Sequence, residues 1–264
     1  MRLSPYLAYA KKNFLNRSAY RFDNIMGIIS TCLQFFIFWE IYKALYGSNT
    51  EIDGITMSMV TTNFILSMGL GAVFSPDDYF LPSKIWDGSI ATEFLRPISF
   101  KGRMIAENVG NALFSLLFRF VPCLIIALFT VGVNAPASPA MFALFVLSAI
   151  LGFGVLWTIS FAVQMTAFWL INIWSLITIK NVLVNVLSGS MIPLWFMPKE
   201  LTAILNFMPF SSVYFTPVQI YLGQLSFEEI MLKCGIQLAW IIVIYLLGDL
   251  LWIKGQKKLI VQGG

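Results

Sequence analysis

Ionisable side chains inside apolar segments are the residues of this sequence best placed to do chemistry. Four of them, Glu40, Lys43, Arg119 and Asp249, interrupt long hydrophobic stretches. A charge near the middle of a membrane costs at least about 2.5–3.5 kcal/mol on insertion scales, so each requires a partner or water. Lys43 and Asp249 lie near the ends of their stretches, where a side chain can extend into water. Glu40 and Arg119 therefore remain as candidates for a buried ion pair or for contact with a substrate.

The depth of Glu40 and Arg119 favours pairing between them. Each lies roughly 22–24 Å from the predicted start of its own helix, at about 1.5 Å per residue. Both helices are predicted to start on the same side, so the two charges would reach the same level. A local pair of Glu40 with Lys43, three residues along one helix, competes with this arrangement. We predict the Glu40–Arg119 ion pair, with a contact of Arg119 along a substrate pathway as the alternative.

Residues for catalysis and metal binding are scarce. The sequence has no histidine, which excludes Ser–His and Cys–His nucleophiles and histidine metal sites. It has no GxxxxGK[ST] segment, so the chain does not bind ATP through a P-loop. Cys32, Cys123 and Cys234 lack metal-ligand spacing and are expected to be small buried residues. The adjacent carboxylates Asp77 and Asp78 are predicted to lie in a solvated turn. An enzyme is therefore disfavoured.

The composition indicates a protein dissolved mainly in lipid. Of 264 residues, 58% are hydrophobic and only 11% are charged, and the mean hydropathy is +0.80. Soluble domains carry about 25% charged residues, which this chain cannot match over a water-facing surface. The apolar runs are continuous rather than alternating, which favours helices over a β-barrel. The net charge of +4 does not indicate nucleic-acid binding, because the basic residues lie between apolar runs.

The hydrophobic pattern predicts an all-α integral membrane protein of six transmembrane helices. Residues 1–23 combine basic and aromatic side chains at helical period, which predicts a helix lying in the membrane interface. The run 141–197 is too long for one crossing and is divided near residues 172–180, where polar residues gather. The other predicted units are spans one and two over 24–74, a cytoplasmic connection over 75–103, spans three to five over 104–197, extracellular half-helices over 198–228, span six over 229–253 and a tail over 254–264.

The distribution of basic residues predicts the orientation. Most of the 17 lysines and arginines fall in the N-terminal segment, the 75–103 connection and the tail. Loops rich in these residues stay in the cytoplasm, so both termini are predicted to be cytoplasmic. The stretch 198–228 then lies outside, where it is too apolar for water and is interrupted by Pro209, Pro217 and Gly223. It is predicted to form re-entrant or interfacial half-helices packed on the bundle.

A short helix is predicted within the cytoplasmic connection. Ser89 can cap its N-terminus, and Pro97 stops it. Ile90 and Phe94 share one face of this helix, four residues apart. The charged residues Glu93 and Arg96 are expected to be exposed.

Four stretches of the sequence resemble permeases of the type-2 ABC export class, the ABC-2 superfamily. The resemblance covers essentially the whole chain and is to small six-span permeases that are partnered with a separate drug- or sodium-type ATPase. The stretches are Asp87 to Pro97 in the connection, Leu187 to Pro198 in span five, Met208-Pro209-Phe210 with Pro217 and Gly223, and Lys257 to Gly264 in the tail.

The resemblance implies a function, partners and a coupling site. It implies the transmembrane permease subunit of an ATP-driven exporter in the bacterial cell membrane, forming the translocation pathway. The expected partners are two ABC ATPase subunits and a second permease protomer, identical or homologous. ATP and Mg²⁺ would be bound by the partner ATPase, and no cofactor is expected in this chain. The residues implied in coupling to the ATPase are Asp87, Gly88, Ser89, Ile90, Glu93, Phe94, Arg96 and Pro97.

Two other functions are compatible with a polytopic membrane chain. A membrane-embedded lipid-modifying enzyme would need clustered acidic or basic residues at one membrane face, and the sequence shows no such cluster. A non-transporting membrane assembly factor would need no partner ATPase. A response of ATPase activity to co-expression with a neighbouring ATPase would distinguish the exporter from both.

Overall fold

The computed structural model describes residues 4–258 as a helical bundle with one short antiparallel hairpin. A π-helical turn, Leu116–Phe120, joins α6 to α7, and 3-10 turns cover Thr166–Phe168 and Leu194–Phe196. The helices are α1 Ser4–Ala19, α2 Arg21–Tyr46, α3 Met57–Val73, α4 Phe80–Trp86, α5 Ile90–Phe94, α6 Phe100–Ser115, α7 Val121–Thr130, α8 Pro139–Met165, α9 Trp174–Leu187, α10 Lys199–Leu205, α11 Phe215–Tyr221 and α12 Phe227–Lys258; the hairpin pairs β1 Glu51–Ile52 with β2 Ile55–Thr56.

The helices confirm the prediction of an all-α membrane protein. Four helical stretches are long and apolar enough to cross a membrane: Arg21–Tyr46, Phe100–Thr130, Pro139–Phe168 and Phe227–Lys258. The shorter apolar helices α3 and α9 occupy the positions of predicted spans two and five. The long run 141–197 is interrupted between Phe168 and Trp174. Span six is longer than expected, because α12 continues to Lys258; the last six residues of the predicted tail lie outside the described part of the chain.

Side-chain caps fix where three of these helices begin. Thr56, Ser99 and Ser138 each accept a hydrogen bond from the backbone N–H three residues further on. Such caps satisfy backbone donors that the first helical turn leaves free. The cap predicted at Ser89 is wrong, because the Ser89 side chain caps nothing. Instead its backbone N–H donates to the Asp87 carboxylate at 2.8 Å, and hydrogen bonds from Ser89 hold the pKa of Asp87 below its usual value.

One face of α1 packs lengthwise against α6. Asn13 Nδ2 donates to the Glu107 carbonyl at 2.8 Å, and Arg17 Nε donates to Asn111 Oδ1 at 3.0 Å. The backbones approach so closely at Gly110 that a Cβ there would lie 2.3 Å from the Ala10 carbonyl oxygen. Only glycine fits such a contact. Within the segment 1–23 the helix α1 covers Ser4–Ala19, α2 already begins at Arg21, and one face of α1 contacts protein; its position in the membrane interface stays a prediction.

The stretch 198–228 contains the two short helices α10 and α11, as the half-helix prediction requires. Nearly all of α11 is buried against the bundle, including Val218 and Ile220. The Gln237 amide of α12 joins this region to α8: its Nε2 donates to the carbonyls of Ser148 and Ser212, and its Oε1 accepts from the Ser148 hydroxyl. These bonds satisfy a polar group that would otherwise be costly to bury.

Candidate functional site

The segment from α4 to α5 lies at the end of the bundle where α3 ends and α12 ends, which we call the inner end. It is the end predicted to face the cytoplasm. Ile90 is buried, whereas Phe94 packs edge-on against Trp252 of α12 with ring centroids 5.7 Å apart and stays partly exposed. The Trp86 indole donates to the Ile171 carbonyl at 2.6 Å. A groove of about 880 Å³ separates this segment from residues 166–171 and the end of α12.

The expectation that Glu93 is exposed is wrong. Glu93 is only 5% exposed. Its carboxylate contacts Lys84 Nζ at 3.2 Å, Arg96 Nε at 3.5 Å and the Arg103 guanidinium. Burial alone would raise the pKa of Glu93, but hydrogen bonds from Arg103 and Lys84 outweigh it and lower the pKa below its usual value. Glu93 therefore stays ionised and joins α5 to α4 and α6.

Arg96 remains available at the surface. Its side chain is 42% exposed, and its Nη1 donates to the Tyr9 hydroxyl of α1 at 3.1 Å. Arg103 lies beneath, with its guanidinium carbon 4.7 Å from the centre of the Tyr9 ring and its Nε donating to Glu107 at 2.6 Å. We call these five ionised side chains the Glu93 cluster: Lys84, Glu93, Arg96, Arg103 and Glu107.

A second ion pair lies deeper in the bundle. Lys180 of α9 is 4% exposed, and its Nζ lies 2.7 and 2.6 Å from the two carboxylate oxygens of Asp78. The same ammonium donates to the Ser160 hydroxyl of α8 at 3.0 Å. The prediction of a solvated Asp77–Asp78 turn is therefore wrong for Asp78. Asp77 instead accepts from the Tyr79 backbone N–H at 3.0 Å and is exposed there.

Two adjoining cavities lie among α2, α3 and α9. The larger, of about 320 Å³, is lined mainly by hydroxyl, amide, Phe and Met side chains. The smaller, of about 190 Å³, lies beside the Asp78–Lys180 pair. Gly71, Asn185 and Tyr214 line both cavities, so that the two are contiguous. We call them together the polar cavity.

Uncharged polar residues recur at helical spacing around this cavity. Thr31 and Gln34 lie three residues apart on α2, and Asn181 and Asn185 lie four residues apart on α9. The Ser67 hydroxyl is fully buried, yet it makes no hydrogen bond within residues 4–258. The wall of the cavity therefore contains a buried hydroxyl whose hydrogen-bonding capacity is not met by residues 4–258. Our sequence analysis missed these residues, although polar pairs three or four residues apart within apolar helices are visible in the sequence.

The structure does not bring Glu40 and Arg119 together, so the predicted ion pair is wrong. Glu40 contacts Lys43 at 3.6 Å, and its side chain is 60% exposed. Arg119 instead lies against Gly27. That glycine is 13 residues before Glu40, or about 20 Å along a helix. The prediction assumed that the helices carrying Glu40 and Arg119 start at the same level. They do not, because α6 begins at Phe100 and its first turns run beside α1.

Four helices of spanning length, with a polar cavity between α2 and the shorter apolar helices α3 and α9, indicate an integral membrane protein. Comparison with known protein families matches residues 26–263 to the family described as ABC-2 family transporter protein. The chain therefore belongs to the ABC-2 transporter family, and it is a transmembrane permease component. Membership implies partnership with an ATP-binding subunit. Among curated proteins, no sequence matches this chain.

Proposed function

We propose that this chain is the permease subunit of an ATP-driven exporter and that the polar cavity is its part of the translocation pathway. ATP and Mg²⁺ are bound and ATP is hydrolysed by a separate ATPase, present in two copies. A second permease protomer, identical or homologous, completes the membrane part. The complex lies in the bacterial cell membrane with both termini of this chain in the cytoplasm. The observation that carries the proposal is a polar cavity inside an ABC-2 bundle.

The lining of the cavity suits a pathway for an amphipathic molecule. Hydroxyl and amide groups of Thr31, Gln34 and Asn185 lie on the same walls as Phe38 and Met68. Polar side chains inside a membrane are costly and commonly mark substrate pathways. At the inner end the Asp78–Lys180 pair borders the smaller cavity.

Coupling to the ATPase is assigned to the surface of the Asp87–Pro97 segment. Leu95 is 84% exposed, and Phe94 and Arg96 are also accessible. These three side chains and the neighbouring groove are the contact surface for the ATPase. Glu93 acts one layer below, because its ion pairs with Lys84 and Arg103 carry a displacement of α5 into α4 and α6.

The pathway is tested by removing one hydroxyl from the cavity and one from elsewhere. Thr31 and Thr130 each donate to the carbonyl four residues earlier at 2.8 Å, but only Thr31 lines the cavity. In vesicles containing the permease and its ATPase, Thr31→Val and Asn185→Leu should reduce ATP-driven export several-fold. Thr130→Val should leave export unchanged. Equal export by all three variants would show that the cavity is not the pathway.

The coupling surface is tested with a matched pair of arginines. Arg96→Ala should weaken co-purification of the ATPase and transport while leaving membrane insertion intact, because charged contacts at an interface rim affect association more than folding. Arg21→Ala removes an exposed arginine at the start of α2 and serves as the control. Unchanged assembly and transport in Arg96→Ala would remove this surface from the coupling site. A purified complex that exports actively without any second polypeptide would exclude the ATPase partnership itself.

A further inference from the structure

Tyr214 is a buried tyrosine at the junction of the two cavities. It lines both the larger and the smaller cavity, and only 5% of the residue is exposed. A Cβ at Gly71, which also lines both cavities, would lie 3.6 Å from the Tyr214 hydroxyl oxygen. The hydroxyl therefore points toward the part of α3 that borders the junction.

The hydroxyl of Tyr214 differs from those of the other buried tyrosines. Tyr42, Tyr46 and Tyr221 each donate to a backbone carbonyl at 2.9 Å. Among residues 4–258, no hydrogen bond involves the Tyr214 hydroxyl, although a buried phenol usually finds a partner. This hydroxyl thus presents a free donor and acceptor at the junction.

The backbone around Tyr214 is held in place by two helices. The Ser212 carbonyl accepts from Gln237 Nε2 of α12 at 2.8 Å. At Gly152 of α8 a Cβ would lie 2.5 Å from the Val213 carbonyl oxygen, so the two backbones are in direct contact. Gly152 lies thirteen residues after the start of α8, or about 20 Å along the helix, against a hydrocarbon core about 30 Å thick. Tyr214 is therefore fixed in the interior of the bundle rather than at its surface.

The cavities offer no free counter-charge to an ion. None of the twelve described residues that line the larger cavity is acidic or basic. Beside the smaller cavity, Lys180 and Asp78 are paired with each other, and the ammonium also donates to Ser160. Arg119 lies against Gly27, outside the lining of both cavities, and its positive charge opposes a cation. Because an unpaired ion is costly to bury, the lining favours an uncharged molecule.

Aromatic rings give both cavities flat apolar walls. Phe38 and Phe64 stack with ring centroids 4.4 Å apart beside the larger cavity, and Tyr214 stacks on Phe74 at 5.8 Å beside the smaller one. A cavity of about 150 Å³ holds one benzene ring. The larger cavity, at about 320 Å³, therefore accommodates a molecule with two fused rings.

We propose that Tyr214 determines which molecules the polar cavity accepts. Its hydroxyl forms a hydrogen bond with an uncharged amphipathic molecule that has an apolar ring body and a hydroxyl, carbonyl or amide group. The rings of the cavity walls contact the apolar body, and a cation finds no unpaired carboxylate among the described lining residues. This inference rests on the proposed role of the polar cavity as the translocation pathway, and it adds the chemical class of the substrate.

Four probes with the same naphthalene ring separate hydrogen bonding from charge. Naphthylmethanol is uncharged and has a hydroxyl, ethylnaphthalene is uncharged and has none, naphthylmethylammonium is a cation, and naphthoate is an anion. Binding to the full-length protein in detergent, in whatever complex it purifies, is measured by equilibrium dialysis at neutral pH against micelles without protein. Naphthylmethanol should bind saturably and at least about threefold more tightly than each of the other three.

Removal of single hydroxyls distinguishes recognition from folding. Tyr214→Phe loses no hydrogen bond within residues 4–258, so its unfolding temperature should equal that of wild type. Naphthylmethanol should nevertheless bind to it about three- to tenfold more weakly, whereas ethylnaphthalene should bind equally to both. Tyr221→Phe breaks the bond to the Asn134 carbonyl, and neither of these residues lines a cavity. It should lower the unfolding temperature and leave the binding of naphthylmethanol unchanged.

Gly71→Ala tests whether the site lies at the junction. The added methyl group would lie 3.6 Å from the Tyr214 hydroxyl oxygen, an ordinary contact that requires no shift of the fold. It occupies space in which a bound group would meet the hydroxyl, so naphthylmethanol should bind more weakly by a similar factor. Gly235→Ala, where a Cβ would meet no atom within 4 Å, is the control and should leave binding unchanged. If Tyr214→Phe does not accumulate, Gly71→Ala decides by the same measurement.

Three results would overturn the proposal. One is equal binding of naphthylmethanol by wild type, Tyr214→Phe and Gly71→Ala. Another is binding of naphthylmethylammonium or naphthoate as tight as that of naphthylmethanol, which would make this a site for ions. The third is a lack of saturable binding of any probe, which would leave only water in the cavity. The pathway itself is judged separately: loss of export in Thr31→Val and Asn185→Leu, with undiminished binding in Tyr214→Phe, would keep the pathway and remove this role of Tyr214.

Discussion

The Asp78–Lys180 pair and the Glu93 cluster both lie at the inner end of the bundle but are built differently. In the first, one ammonium meets one carboxylate, the side chains are 3% and 11% exposed, and Ser160 is the only additional partner observed among the described residues. In the second, one buried carboxylate meets three cations, and one of these has a further carboxylate, Glu107. The first joins α9 and α8 to the turn after α3, whereas the second joins α1, α4, α5 and α6.

This difference shows how a membrane protein can use buried charge in two ways. A single buried pair has no substitute when one member is lost, because the other charge stays in a medium of low dielectric. A cluster with partly exposed members can rearrange, since Lys84 and Arg96 can turn toward water. We therefore expect the pair to hold the helices beside the polar cavity firmly. The cluster should allow α5 to move while staying attached.

The largest effect is expected when the pair is broken at one end. Lys180→Met leaves the Asp78 carboxylate buried and unpaired, which should destabilise the protein by about 3–5 kcal/mol. The double variant Lys180→Met with Asp78→Asn should be considerably more stable than Lys180→Met alone. Thermal unfolding in detergent, read as a double-mutant cycle, measures the coupling. Additive effects of the two changes would show that the pair is not energetically linked.

A smaller effect is expected at the centre of the cluster. Glu93→Gln keeps the size of the side chain but removes the charge, and we expect a loss of about 1–3 kcal/mol. The loss should be smaller than for Lys180→Met because Arg103 retains Glu107 and the other cations reach solvent. The same unfolding assay measures it. If Glu93→Gln proves more damaging than Lys180→Met, the contrast between cluster and pair is incorrect.

The cluster should also contribute a dependence of stability on acid pH. The pKa of Glu93 is lowered by folding, so its stabilising contribution is present above the ordinary glutamate value of 4.5 and is lost as pH falls below it. Wild type should therefore lose more stability between pH 5 and lower pH than Glu93→Gln does. Unfolding temperatures measured across this range for both proteins give the comparison. Parallel curves would mean that Glu93 does not contribute.

The smallest effect on stability is expected at the edge of the cluster. Arg96→Ala removes a side chain that is 42% exposed and should cost less than about 1 kcal/mol. Its effect should instead appear in association with the ATPase. Thermal unfolding of the isolated permease, set beside co-purification of the ATPase, separates the two. A large loss of stability would show that Arg96 supports the fold rather than the interface.

Local sequence features were sufficient to locate the long helices. Continuous apolar runs located α2, α3, α6 with α7, α8, α9 and α12, and the polar residues near position 172 marked the interruption before α9. Proline and glycine marked the stretch of the short helices α10 and α11, whereas α4 and the β1–β2 hairpin were not predicted. These features depend only on residues within a few turns of the same segment, so they can be read from the sequence without knowledge of the tertiary structure. The family resemblance carried by the 87–97 segment was likewise visible in the sequence alone, and the family match confirms it.

Pairing between distant residues was decided by the tertiary structure. From the sequence, Glu93 was expected to be exposed and Asp78 to be solvated. In the structure Glu93 lies beside Lys84 and Arg103, and Asp78 pairs with Lys180, which comes 102 residues later in the chain. The Glu40–Arg119 prediction failed for the same kind of reason, because α1 shifts the level at which α6 enters the bundle. Hydropathy determines which segments enter the membrane, since transfer from water depends on each segment's own composition. The relative level and rotation of the helices depend on packing between segments, and these alone determine which charges meet.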